Sequence, residues 1–337
     1  SLQKNKNILE KTYSRTPFIP KDKENLEEIL KLQTFALAKR IKHLNYSKMV
    51  IGISGGADST LAFLVCLRVA EVLKLPYSHV IAITMPGFGT SNRTLENAKK
   101  LIEGSKATYK EISIKAAVLQ HYQDIGHDPN VLDITYENSQ ARERTQILFD
   151  YANKVGGIVI GTGDLSEIAL GWATYNGDHM SSYSVNASIP KTLVTKLIEK
   201  IKDDQEEGII KDTLTDILNT PISPELLPLD AAGHTIQSSE ASVGPYILQD
   251  FLLYHFIRYG AGVKKLYFLA CSTFDYSKED IKKYLIIFIK RFFTQQFKRN
   301  CMPDGVKVGS ISLSPRGDLR MSSDTSYALY LKEAEEL

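Results

Sequence analysis

The run Met49-Val50-Ile51-Gly52-Ile53 passes without a break into Ser54-Gly55-Gly56-Ala57-Asp58-Ser59, and a helical pattern follows over residues 60–73. No other segment restricts the fold as strongly. A short continuous apolar run is what a strand buried on both faces of a parallel sheet requires. A glycine-rich turn between such a strand and a helix leaves backbone N–H groups free at the helix N-terminus, where the dipole favours an anion. Gly55 and Gly56 let the backbone approach phosphate oxygens, and Ser54 and Ser59 supply hydroxyl donors. The turn fits neither G-x-x-x-x-G-K-[ST] nor G-x-G-x-x-G. An aspartate in the middle of an anion-binding turn repels phosphate on its own, so Asp58 predicts a divalent cation, Mg²⁺, between it and the phosphates. The competing reading is a plain strand-to-helix turn capped by Asp58 and Ser59.

The alternation continues. Strands are expected at 79–84, 109–114 and 157–160, and helices at 26–43, 94–103 and 137–154. This pattern predicts an α/β fold: a doubly wound, mostly parallel sheet with helices on both faces and ligands at the carboxyl ends of its strands. The loops after Ile53, Thr84 and Ile160 are therefore where a site is expected. Residues 171–190, polar and rich in Gly, Ser, Asn and Tyr, read as a mobile lid. Pro190 opens a further helix, and helices at 243–259 and 278–299 predict a helical C-terminal extension. Residues 1–25, with Pro17 and Pro20, read as the remnant of an interdomain linker, 26–300 as one domain, and 301–337 as a C-terminal tail.

Composition excludes several classes. Lys plus Arg is 41 against 39 for Asp plus Glu, a net charge of +2 that argues against a nucleic-acid footprint spread over the surface. Cys66, Cys271 and Cys301 are widely spaced with no C-x-x-C pair. A disulfide framework and a structural zinc site are thus not expected, and a reducing, cytoplasmic setting is. The histidines are scattered and form no metal motif. Mean hydropathy is -0.17, and no run approaches the ~20 apolar residues of a membrane helix. The start, Ser-Leu-Gln-Lys-Asn-Lys, has neither Met nor a signal sequence and reads as a fragment or a processed chain.

The loop Ser54-Gly55-Gly56-Ala57-Asp58-Ser59 after a buried strand resembles the pyrophosphate-binding loop of the N-type ATP pyrophosphatases. Four further runs narrow the resemblance: Tyr136-Glu137-Asn138-Ser139-Gln140-Ala141-Arg142, Gly161-Thr162-Gly163-Asp164-Leu165-Ser166-Glu167, Gly171-Trp172-Ala173-Thr174-Tyr175, and Val185-Asn186-Ala187-Ser188-Ile189-Pro190-Lys191-Thr192-Leu193. Together they resemble the synthetase domain of glutamine-dependent NAD synthetases over about residues 15–325. The resemblance implies an adenine-nucleotide-hydrolase-like, Rossmann-like fold. It also implies a ligase that adenylates deamido-NAD with ATP, releases pyrophosphate, and lets ammonia displace AMP to leave NAD. A carboxylate is already a nucleophile at neutral pH, so charge neutralisation counts for more than a general base in the first step.

By the same resemblance Asp58 and Glu167 hold Mg²⁺, and Lys191 lies on the ATP phosphates with Asp58 and Glu167 as the catalytic set. Ser54, Gly55, Gly56, Ser59, Thr162 and Ser223 contact ATP. Asn138, Arg142 (rather than Arg144), Glu167, Trp172, Tyr175 and Lys298 contact deamido-NAD. Simpler readings stand beside these: a first-turn carboxylate for Glu167, a helix cap for Thr162 and a core aromatic for Trp172. The resemblance further implies a homodimer or larger homo-oligomer. Full-length relatives carry an amidohydrolase domain with a Cys, Glu and Lys set, and no Cys precedes Cys66 here. Free ammonia, or an upstream glutaminase domain, is therefore the expected nitrogen source. The rivals are a GMP synthetase-like amidotransferase, expected to lack the Gly-Trp-x-Thr-Tyr run, and a regulatory module that binds ATP or NAD without turnover.

Overall fold

The computed structural model describes residues 12–220, 226–228 and 239–337. These residues form five strands: β1 (Lys48–Gly52), β2 (Val80–Thr84), β3 (Thr108–Glu111), β4 (Gly157–Gly161) and β5 (Tyr183–Ser184). All pair in parallel, in the order β3-β2-β1-β4-β5. The chain winds outward from β1 to β3, then returns to the other side of β1 for β4. The connecting loops therefore part between β1 and β4, the switch point at which such sheets hold ligands.

Helices α1 (Lys23–Leu44), α2 (Ala57–Leu73), α3 (Asn92–Gly104), α4 (Lys115–Ile125) and α5 (Ile134–Val155) accompany the first strands. After β4 come α6 (Leu165–Leu170), α7 (Lys191–Asp203), α8 (Ile209–Leu218) and the short α9 (Ser239–Val243). A helical unit closes the chain: α10 (Tyr246–Tyr259), α11 (Val263–Thr273), α12 (Lys278–Thr294), α13 (Gln296–Asn300) and α14 (Ala328–Glu335). Period-two alternation along β1 sorts its side chains. Met49, Ile51 and Ile53 enter a core shared with α1, α2, α3, α7 and α8, while Val50 enters the opposite one with α4 and α5. Both faces are thus covered, which is the α/β architecture expected.

Four differences matter. First, α2 begins at Ala57 rather than at residue 60, which puts Asp58 and Ser59 in its first turn. Second, α4, α6, α8, α11 and α14 lie outside the expected helices, since each is only 6–11 residues long and shows too few turns for a helical period to stand out. Third, the stretch expected as a mobile lid is buried throughout 183–190 and carries edge strand β5. Fourth, the segment after residue 300 packs: Ile311, Leu313 and Ala334 are buried in the core of the helical unit. That core also absorbs the apolar faces of α10 and α12. Among the described residues no helix is long and apolar enough to cross a membrane.

Candidate active site

Two loops build the site. After β1, Gly55 sits at φ 88°, and a Cβ on it would lie 2.2 Å from the Thr94 carbonyl oxygen, so only glycine fits. Gly56 then N-caps α2 with no side chain bonded to the open N–H groups. Ser59 Oγ donates to the Gly56 carbonyl at 3.1 Å and accepts from the Ser54 N–H at 3.3 Å. The Gly56 N–H donates to Ser54 Oγ at 3.2 Å, so the two serines hold the turn in shape.

After β4, Asp164 is fully buried and N-caps α6. Its Oδ1 accepts from the Glu167 N–H at 2.8 Å, and Glu167 Oε2 accepts from the Asp164 N–H at 3.4 Å, a reciprocal capping box. Lys191, the first residue of α7, reaches the carboxylates of both loops. Its Nζ lies 2.5 Å from Asp58 Oδ2, 2.6 Å from Asp164 Oδ2 and 3.0 Å from Glu167 Oε1. The Tyr246 ring stands 5.2 Å from the same ammonium.

Charge is crowded here. Burial raises the Glu167 carboxyl to about 7, with Lys191 opposing the shift and Asp58 adding to it. Burial likewise pushes Asp164 well above the usual carboxylate range against the pull of Lys191. For Lys191 burial works against the ammonium, but the three carboxylates outweigh it and hold its pKa well above the ordinary value. The ligand atoms of Asp58, Asp164 and Glu167 lie within 4.8 Å of one another. Asp58 Oδ1 is buried with no hydrogen-bond partner. An all-oxygen donor set with a spare buried carboxylate oxygen suits a hard divalent cation such as Mg²⁺.

Other expected residues gather around the segment after α6. The Lys298 ammonium donates to the carbonyls of Gly171 at 2.8 Å and Ala173 at 2.6 Å. Burial and neighbouring Arg291 lower its pKa to about 8. Thr174 Oγ1 donates to Asn138 Oδ1 at 2.7 Å, and Arg142 Nε donates to the Tyr175 carbonyl at 3.2 Å. Arg144 Nε donates to the Met85 carbonyl at 3.1 Å, at the end of β2. Trp172 lies under the Arg291 guanidinium at 5.1 Å and packs on the core of the helical unit. Tyr175 is exposed, 5.5 Å from the His179 ring and 5.4 Å from Phe297. A pocket at the end of β4 is lined by Thr162, Gly163, Glu167, His179, Lys298 and Met302 among others. Asn138, Arg142, Trp172 and Tyr175 are not in its wall. Ser223 lies outside the described residues.

Residues not singled out from the sequence tie the parts together. Asn186 is fully buried, and its Nδ2 donates to the carbonyls of Asp58 at 3.0 Å and Thr162 at 3.1 Å, joining the two loops. Gln33 of α1 donates in turn to Asn186 Oδ1 at 3.1 Å. Asp250 of α10 accepts from the Thr192 N–H at 3.0 Å, from the Thr192 hydroxyl at 2.7 Å and from the Ser166 hydroxyl. Ser166 Oγ accepts from the Lys191 N–H at 2.8 Å, so the helical unit sets the start of α7. Asp250 did carry a signal: an acidic residue among the apolar neighbours Leu248, Phe251 and Leu252 of a helix has to be paired.

A protein-family model described as NAD synthase matches residues 29–246. A glutamine-dependent NAD(+) synthetase of Mycobacterium leprae is 42% identical over 95% of this chain and 52% of its own length. An NH(3)-dependent NAD(+) synthetase of Fusobacterium nucleatum is 32% identical over 54% of this chain and 67% of its own. Among solved structures, a glutamine-dependent NAD(+) synthetase from Cytophaga hutchinsonii shares the fold with a TM-score of 0.76 at 18% identity, over 92% of this chain and 56% of that one. The chain spans about half the length of the glutamine-dependent relatives it matches.

Proposed function

We propose, for a chain that belongs to the NAD synthase family, that it amidates deamido-NAD to NAD at the expense of ATP. The observation that carries this reading is the meeting of Asp58, Asp164, Glu167 and Lys191 beside the open N-terminus of α2. In the first step a nicotinate carboxylate oxygen attacks the α-phosphorus, an O–P bond forms, and the bond to the bridging oxygen breaks to release pyrophosphate. In the second, ammonia attacks the acyl carbon, loses a proton, and AMP departs with the electron pair of the C–O bond.

The free N–H groups of α2 and the Ser54 and Ser59 hydroxyls receive phosphate oxygens, and Thr162 borders the nucleotide. Mg²⁺ held by Asp58 and Glu167 supplies neutralisation of the charge that builds on the leaving pyrophosphate. Lys191 adds a second positive charge there. Asn138, Arg142, Trp172, Tyr175 and Lys298 orient deamido-NAD, with Lys298 offering its desolvated ammonium to an anionic group of the dinucleotide. Ammonia arrives free or from a glutaminase domain, the setting is cytoplasmic, and the assembly is a homodimer or larger homo-oligomer, which sedimentation as a fully active monomer would rule out.

The test is NAD formation and pyrophosphate release with deamido-NAD, ATP, Mg²⁺ and ammonium, and a second arm with glutamine as the sole nitrogen donor. Turnover with ammonium supports the reading. Binding of ATP and deamido-NAD without pyrophosphate release defeats it in favour of a non-catalytic module.

A further inference from the structure

We propose that Lys191 is a placeholder: without nucleotide its ammonium fills the position that a divalent cation takes among Asp58, Asp164 and Glu167, and metal entry requires it to leave. The inference rests on the metal-dependent reading above and adds Asp164 to the metal-facing groups. Nζ stands 2.5, 2.6 and 3.0 Å from one oxygen of each carboxylate, which puts it at their centre. A cation bound to the same three oxygens would occupy nearly the same point, so the two are mutually exclusive.

The fit of the ammonium is incomplete. Nζ makes well-directed hydrogen bonds to Asp58 and Glu167, but Asp164 Oδ2 touches it without one, and Asp58 Oδ1 is buried without any. Asp164 is fully buried, so its free oxygen has no recourse to water. One ammonium with three donors faces three carboxyl groups, whereas a divalent cation brings a second positive charge and accepts lone pairs from every direction. The backbone of Lys191 is fixed by Ser166 Oγ, so departure needs only rotation of its four-carbon stem. ATP phosphates give the displaced ammonium a new partner. Nucleotide and metal therefore bind with positive coupling.

The experiment titrates Mn²⁺ into the protein without nucleotide, followed by the EPR signal of free Mn²⁺, for wild type and Lys191→Met. The expected result is about tenfold or more tighter binding by the variant, because a competing charge has left the nest. Adding ATP should then tighten Mn²⁺ binding more in wild type than in Lys191→Met. Equal affinities without nucleotide, or no detectable binding by either, overturn the placeholder. If Lys191→Met loses its circular dichroism signature, Lys191→Gln takes its place. Asp164→Asn, which retains the helix cap, should weaken Mn²⁺ binding in the Lys191→Met background, and an unchanged affinity removes Asp164 from the ligands and overturns that part. Pyrophosphate release by wild type is measured in parallel. Turnover with equal titrations defeats the placeholder alone, whereas no turnover defeats the functional reading beneath it.

Discussion

After β1 the chain turns through Gly55 and Gly56 and starts α2 with no side chain on its first N–H groups. After β4 it turns through Gly163 and starts α6 beneath Asp164, whose carboxylate takes the Glu167 N–H while Glu167 returns to the Asp164 N–H. The plan is shared and the chemistry is opposite. An uncapped helix end is a set of free donors that receives an anion, whereas a sealed one has no donors to offer and instead presents its carboxylates. Under the proposed function the switch point thus sets an anion receiver after β1 beside a cation receiver made of Asp164 and Glu167 after β4 and of Asp58 in the first turn of α2. Asn186, bonded to the Asp58 and Thr162 carbonyls, fixes the distance between them.

The comparison breaks most sharply at the carboxylates. Under the proposed function Glu167→Gln and Asp58→Asn should each lower pyrophosphate release about a hundredfold or more while leaving the fold intact, since each removes an anionic group that would hold the metal. Wild-type turnover by either variant at limiting Mg²⁺ would contradict the assignment. The anion side is tested by its two glycines. Gly55→Ala meets the Thr94 backbone at a positive φ and should cost about 2 kcal/mol of stability or more together with ATP binding. At Gly56 the nearest atom to a new Cβ is Ser54 Oγ at 3.4 Å, so Gly56→Ala should change stability little. Denaturant melts and ATP titration decide, and equal losses at both positions would remove the role given to Gly55.

The sheet and the two loops were legible because the signal is local. Met49 to Ile53 is a continuous apolar run such as a strand buried on both faces requires, and Gly55 and Gly56 mark the turn that follows it wherever the rest of the chain lies. What escaped is set by contacts distant in sequence. Asp164 reads as an ordinary cap until Lys191 is seen to come within 2.6 Å of it, and Asn186 reads as one polar residue among many until Gln33 and both loop carbonyls are placed around it. The expected mobile lid does not extend over 183–190, because the polar residues there are not solvated. Here Ser184, Asn186 and Ser188 are buried and paired with backbone and side chains. The same blindness made a tail of residues 301–337. Of the three glycines in that stretch, Gly305 lies close against another backbone, while Gly309 and Gly317 do not.

That close approach supplies a smaller test. The Ser184 N–H donates to the Asp304 carbonyl at 2.8 Å, and Ser188 Oγ donates to the Val306 carbonyl at 2.9 Å and accepts from the Val308 N–H at 2.8 Å. Between them, a Cβ on Gly305 would lie 2.5 Å from the Ser184 carbonyl oxygen and 2.8 Å from Ala187 Cβ. Gly305→Ala should therefore lift the strap off the segment that carries Asn186, with a loss of about 1–2 kcal/mol and a few-fold loss of turnover. Gly317→Ala, where nothing lies within 4 Å, should do neither. A Gly305→Ala protein as stable and active as wild type would show that the strap does not set the loops.

The smallest expected effect is the pH dependence of the cation side. Glu167 titrates near 7 in the folded protein against an ordinary value of 4.5, and burial is the main cause. Between those values the folded state holds more protons than the unfolded one, so stability falls as pH rises through that window. Asp164 is shifted in the same direction. In metal-free buffer the melting temperature should accordingly decline from pH 5 towards pH 7.5 by more than in Glu167→Gln, which has no such proton to lose. Gly55→Ala changes no titrating group, so its melting temperature should decline over this range as steeply as that of wild type. A wild-type melting profile that rises over this range, or one that Glu167→Gln leaves unchanged, would mean that burial does not hold a proton on Glu167 and that its carboxylate is ionised throughout the window.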